Sequence, residues 1–195
     1  MKDLERVGAF LHHVSGIDEK AFALSTPHWQ YKTFKKGEFY NEYHSVCKYL
    51  GFVLDGLFRT YYVDTESGDE KNIFFFPKNN VVVAFKSFLS QTPCNYYTQA
   101  MTDANVLMIH ITELTNLYRQ SHQWEHFGRV IAEIAYNSAM DRTEGFLFKT
   151  PEERYKEMVK TQPEICEQVP LYHLSSYLGI QGPSLSRIRK RISRK

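Results

Sequence analysis

Between Val169 and Ile192 the chain places two short apolar faces either side of a single glycine, a pattern that a sharply turned pair of helices can bury. Leu171, Leu174, Tyr177 and Leu178 make the first face, and Leu185, Ile188 and Ile192 make the second at helical spacing. Pro170 can open the first helix and Gly182-Pro183 the second, while Gly179 gives the turn a permissive backbone and Ile180 plugs it. The second helix is also strongly basic. From Gly182 onward the sequence holds Arg187, Arg189, Lys190, Arg191, Arg194 and Lys195 and no acidic residue. A buried stripe opposite concentrated positive charge suits a helix lying along a phosphate backbone. The stretch is therefore expected to be a helix-turn-helix with double-stranded DNA as its partner. A helical hairpin with a solvated basic tail is the plainer alternative.

The charge is local. Net charge is +2 over 195 residues, but residues 151–195 hold nine basic and five acidic side chains, so attraction to nucleic acid belongs to that end. No apolar run is long enough to cross a bilayer, and Met1 to Phe10 lacks the apolar stretch of a signal peptide. A soluble cytoplasmic protein without a membrane partner is expected. Cys47, Cys94 and Cys166 stand far apart, which gives no disulfide framework, zinc knuckle or cluster site.

From Tyr31 to Ile111, runs rich in β-branched and aromatic residues alternate with turn signals: Tyr49–Leu54, Leu57–Val63, Lys71–Phe76, Val81–Phe85, Tyr96–Met101 and Val106–Ile111. Asp55-Gly56, Ser67-Gly68 and Lys78-Asn79-Asn80 supply the turns of a small β-roll, and Leu4 to Leu24 reads as helical. After Ile111 the period changes. A long helix from about Ser121 to Phe148 carries Phe127, Ile131, Ile134 and Ser138 as an a/d-type seam, beside a stripe of small residues, Gly128, Ala132, Ala135 and Ala139. This face is expected to pair with its copy in a second subunit; packing on its own β-domain is the alternative. Thr150-Pro151-Glu152-Glu153 is a strong helix start, with Thr150 as N-cap and Glu153 closing a capping box. The fold class expected is α+β, in three parts: residues 1–111 a jelly-roll-like effector domain, 112–149 the dimerisation helix, and 150–195 the helix-turn-helix.

Thr150-Pro151-Glu152-Glu153-Arg154-Tyr155, Tyr177-Leu178-Gly179-Ile180 and Ser184-Leu185-Ser186-Arg187-Ile188-Arg189-Lys190, met in this order, resemble the hinge and recognition unit of the Crp/Fnr superfamily of bacterial transcription regulators. The resemblance covers nearly the whole chain. It implies a cyclic-nucleotide-binding-like β-roll, a homodimer reading two half-sites about one helical turn apart, and RNA polymerase as a further partner. Carried across, Arg187 falls at the main base-reading position, where a planar guanidinium can take guanine O6 and N7 together. Gln181, Ser184, Ser186, Lys190 and Arg191 complete the set implied to touch DNA. Pro183 stands where many members carry a glutamate, so the preferred operator should differ. A β-hairpin wing after Ile192 is not expected.

The effector region departs further. Members that bind cyclic nucleotides carry a Gly-Glu pair and an arginine ten residues after the glutamate, for the ribose hydroxyl and the cyclic phosphate. Here Val83-Ala84 and Cys94 fall at those positions, so cyclic AMP binding in the usual mode is not expected. Val83, Ala84, Phe85, Cys94 and Asn95 are the candidate effector pocket, for an unidentified small molecule or as filled core. Cys94 is either a thiol sensor or a small buried residue. His122 and His126 have metal-ligand spacing, yet they and His12, His13, His44 and His110 form no recognisable ligand set, so no metal, cofactor or catalytic residue is expected. The main alternative function is a ligand-sensing β-roll module without specific DNA binding; a metal-dependent β-barrel enzyme is a third.

Overall fold

The computed structural model describes residues 2–192. Arg194 and Lys195, counted above with the basic terminus, lie outside the described residues. The fold is α+β. Two N-terminal helices, α1 (Lys2–Ser15) and α2 (Glu19–Ser25), precede eight strands: β1 (Trp29–Phe34), β2 (Phe39–Asn41), β3 (Tyr49–Asp55), β4 (Phe58–Val63), β5 (Glu70–Phe76), β6 (Val81–Val82), β7 (Tyr97–Ala100) and β8 (Ala104–His110). The strands form two four-stranded antiparallel sheets, ordered β1-β8-β3-β6 and β2-β7-β4-β5, the interleaving of a jelly roll. Phe34, Val53, Phe58, Val82, Val106 and Met108 fill the space between them.

One expected strand is cut short. Of the run Val81–Phe85 only Val81 and Val82 pair, with β3, and Phe85 begins α3 (Phe85–Ser90), whose first turn closes when the Phe88 amide donates to the Ala84 carbonyl. β1, which is not among the strand runs delimited from the sequence, has four of its six residues exposed, so it shows little of the alternating burial of a half-buried strand.

After β8 come α4 (Ile111–Gln120) and α5 (His122–Phe148), the latter about 40 Å long at 1.5 Å per residue. The seam expected to face a second subunit instead turns inward over its first half. Trp124, Phe127 and Ile131 pack with Val7, Leu11, Ile17 and Leu117, and the Trp124 indole N–H donates to the Ala21 carbonyl at 2.8 Å. Gly128 is small for an intramolecular reason, since a Cβ there would come within 2.7 Å of the Tyr118 ring. Phe127, Gly128 and Ile131 therefore belong to their own subunit's core. Ala132 and Ala135 are half-buried, while Ile134 and Ser138 are exposed.

The remaining helices are α6 (Pro151–Thr161), α7 (Pro163–Gln168), α8 (Leu171–Leu178) and α9 (Gly182–Ile192). α6 starts with the expected capping box: Glu153 N–H donates to Thr150 Oγ1 and Thr150 N–H donates back to Glu153. Tyr155, Met158, Ile165, Val169, Leu174, Leu178, Leu185 and Ile188 form a second core, which Leu57 and Phe75 of the β-roll join. No helix among the described residues is long and apolar enough to cross a membrane.

Candidate nucleic-acid interface and its attachment to the β-roll

α8 and α9 are joined by Gly179-Ile180-Gln181. Gly179 has φ +66°, and a Cβ there would meet the Phe146 ring at 2.6 Å, so both the backbone and the close approach require glycine. The Gln181 carbonyl receives the Ser184 and Leu185 amides and starts α9. Leu185 and Ile188 are buried on one side of α9, which leaves Pro183, Arg187 and Lys190 along its solvent side. Ser184 and Arg191 flank that line on one edge, Ser186 and Arg189 on the other. The Arg187 guanidinium lies back on its own helix, donating to the Pro183 carbonyl and Ser184 Oγ, each at 3.3 Å. Arg191 is tied to Glu152 of α6, which also holds Lys156, so part of the charge assigned to this face is already neutralised.

The effector positions are mostly core. Val83, Ala84 and Cys94 are buried and Phe85 packs against them. Cys94 also gives both backbone groups to the neighbouring loop, receiving the His44 amide at 2.7 Å and donating to the Ser45 carbonyl at 2.9 Å. Burial raises the pKa of its thiol, and pushes that of Cys47 up to about 11, which disfavours the thiolate a redox sensor needs. Asn95 is exposed and lines, with Cys94, Lys86 and Tyr96, a hollow of about 110 Å³. A second hollow of about 270 Å³ lies beside Lys32, Asn41 and Lys48. Ligand pockets usually occupy roughly 300–1,000 Å³. Among the described residues no group of three His, Cys, Asp or Glu is placed to hold a metal. His122 faces Glu125, and His126 faces Arg129.

The attachment of α8 is a tertiary feature. β5 is an edge strand, and Ser176 of α8 completes it: its Oγ accepts from the Asn72 amide at 3.0 Å and donates to the Glu70 carbonyl at 2.8 Å. Beside it, Arg59 of β4, 7% exposed, pairs with Glu70, donates to Gln99 Oε1 at 2.9 Å and lies 3.0 Å from His173 Nδ1 of α8. Its guanidinium also rests 4.0 Å over the Tyr61 ring. Arg142 of α5 donates to the Asn72 and Tyr177 carbonyls, both at 3.0 Å, and Arg154 of α6 donates to those of Leu178 and Lys149. Two arginines thus cap the carbonyl ends of α8 and α5 where these helices meet, with Phe146 between them. Burial draws the pKa of both guanidinium groups below the ordinary arginine value, and at Arg142 the neighbouring Tyr177 offsets part of that effect. The available signal was Arg59 itself, a charge in the middle of the apolar run Leu57–Val63.

No protein-family profile matches the sequence, and no curated protein matches it. Solved structures do. FixK2 from Bradyrhizobium japonicum is 16% identical with a TM-score of 0.70, covering 85% of each chain. A protein from Eubacterium rectale, assigned to the Crp/Fnr family of transcriptional regulators, is 15% identical at TM-score 0.68, covering 91% of this chain and 84% of that one. The c-di-GMP-responsive global regulator CLP of Xanthomonas campestris is 13% identical at 0.64, covering 91% and 92%. At such identities the likeness is one of fold. The chain therefore has the fold of the Crp/Fnr-type regulators: a cyclic-nucleotide-binding-like jelly roll joined through a long helix to a C-terminal helical region.

Proposed function

We propose that this protein is a homodimeric, sequence-specific DNA-binding transcription regulator that does not respond to cyclic AMP in the usual mode. Residues 1–111 act as its effector-like part, 112–149 as its dimer helix and 150–195 as its DNA-binding part. The observation that carries the reading is α9, with Leu185 and Ile188 buried and Arg187 and Lys190 on the solvent side. In this reading α8 and α9 are a helix-turn-helix with α9 in the major groove, Arg187 reads a guanine, and Gln181, Ser184, Ser186, Lys190 and Arg191 hold phosphates. Arg191 must leave or share Glu152 to do so.

Dimerisation runs through a different face of α5 from the one periodicity singled out. Tyr136, Met140, Thr143 and Leu147 step by four, three and four, roughly half a turn from the Phe127 seam at 3.6 residues per turn. Tyr136 is 65% and Leu147 70% exposed, continuing a line that begins at half-buried Ala132. A second copy with its own stripe is the partner that fits, and a two-fold axis along α5 would present two copies of α9 to one duplex. A signal reaching the β-roll would act by shifting the paired helices and with them the spacing of the recognition helices. RNA polymerase contact belongs to the same reading.

The test is selection of bound duplexes from a random pool at fixed salt, by the wild type and by Arg187→Ala. A two-fold symmetric consensus is expected, with discrimination at one position per half-site relaxed by ~1–3 kcal/mol in the variant. Salt-sensitive binding with no consensus, or a consensus unchanged in the variant, would refute the assignment.

A further inference from the structure

We propose that His173 is a proton-operated release for α8: neutral, it holds this helix against the β4–β5 edge, and protonated, it lets the helix go. The inference concerns docking alone and stands whether or not the chain binds DNA.

The geometry fixes the tautomer. A guanidinium can only donate, so with Arg59 Nη1 at 3.0 Å the His173 Nδ1 must accept, and the ring hydrogen sits on Nε2. The Asn72 side-chain amide nitrogen also faces Nδ1, at 3.3 Å. Placing a proton on Nδ1 would turn this acceptor into a third donor among donors and set an imidazolium against a buried guanidinium. The groups around it offer little relief. From β4 it faces Arg59; from β5, Glu70 and Asn72; Gln99 of β7 and Arg142 of α5 bind Arg59 and the Asn72 carbonyl; on its own helix Tyr172 stands edge-on. Among the described residues Glu70 is the one anion acting on this imidazole, and Arg59 already engages it. The Asn72 amide nitrogen also reaches the His173 carbonyl at 3.5 Å, which keeps Oδ1 turned away from Nδ1; among the described residues that buried oxygen has no hydrogen-bond partner, so the cluster is incompletely satisfied even with His173 neutral. Once α8 moves away, the imidazolium is hydrated and the conflict disappears.

Burial first, and then Arg59, lower the His173 pKa in the docked state, against a smaller opposing effect of Glu70. The released form, with an ordinary imidazole, binds the proton more readily. Docking is therefore at full strength above the ordinary value of 6.5 and weakens as pH falls below it, by up to about tenfold per pH unit for one proton, until the depressed docked-state pKa is passed.

The experiment is amide hydrogen exchange by NMR on the full chain between pH 5 and 8, corrected for intrinsic rates, in the wild type and in His173→Asn. The asparagine Oδ1 falls near the position of Nδ1 and does not titrate. In the wild type, protection of the Asn72 amide, which donates to Ser176, is expected to fall with pH by up to about tenfold per unit below 6.5, while amides of the β3–β8 pair hold. The variant is expected to give a flat profile. Identical pH profiles in the two proteins, or parallel loss at β3–β8, would overturn the proposal. Should His173→Asn not fold, the imidazole titration of His173 in the wild type decides: a midpoint below 6.5 supports the release, and one at or above 6.5 overturns it.

Discussion

The two halves of α5 share one helical register and meet opposite fates. In the first half Trp124, Phe127 and Ile131 are buried against α1, α2 and α4 of the same chain; in the second, Tyr136, Met140, Leu147 and Phe148 stand exposed, Phe148 at 77%. The contrast shows that an apolar stripe states only that something must cover it. The Phe127 seam looked like a dimer contact because its spacing was regular, yet regularity is equally served by a helix of the same subunit. α4 precedes α5 directly, but α1 and α2 come from about a hundred residues or more away, which local periodicity cannot register.

Three substitutions sharpen this contrast. Phe127→Ala should be the most damaging, at ~3–5 kcal/mol of unfolding free energy, because it empties a site that is 1% exposed. Denaturant unfolding at several protein concentrations checks it: the loss should not depend on concentration, and a concentration-dependent loss would return Phe127 to an intersubunit contact. Leu147→Asp comes next. Sedimentation equilibrium should show a dimer weakened by ~2–4 kcal/mol, the range of a central interface residue, with the monomer's secondary structure intact. A wild type that is monomeric throughout would remove the interface altogether. Ile134→Ala should matter least: it lies on the Phe127 seam but is 48% exposed, so a cost within ~0.5 kcal/mol is expected from thermal melts. A loss comparable to that of Phe127→Ala would mean that the inward face runs further along the helix.

A second contrast lies between the two ends of the C-terminal pair. α9 turns its charge outward as its spacing implied, whereas α8 spends its polar flank, His173 and Ser176, on the β-roll edge. Both helices are short and amphipathic. Only the neighbour differs. Burial of Leu185 and Ile188 follows from the sequence because Leu174 and Leu178, which share their core, lie on the helix just before theirs in the chain. The attachment of α8 joins residues about a hundred positions apart, and nothing in the alternation of β5 marks it as an edge strand awaiting a serine.

Much of this protein is written in local chemistry. The capping box at Thr150, the glycine at 179, the strand runs closed by Gly56 and Gly68 and the basic face of α9 each depend on residues within a few positions, where φ preference and side-chain spacing act directly. Partnership was decided elsewhere. That Phe127 belongs to its own core, that Cys94 is sealed beneath the loop at Ser45 and that Arg59 meets His173 are outcomes of tertiary packing, because a buried surface or a hydrogen bond needs two sides and the chain brings the second side from afar.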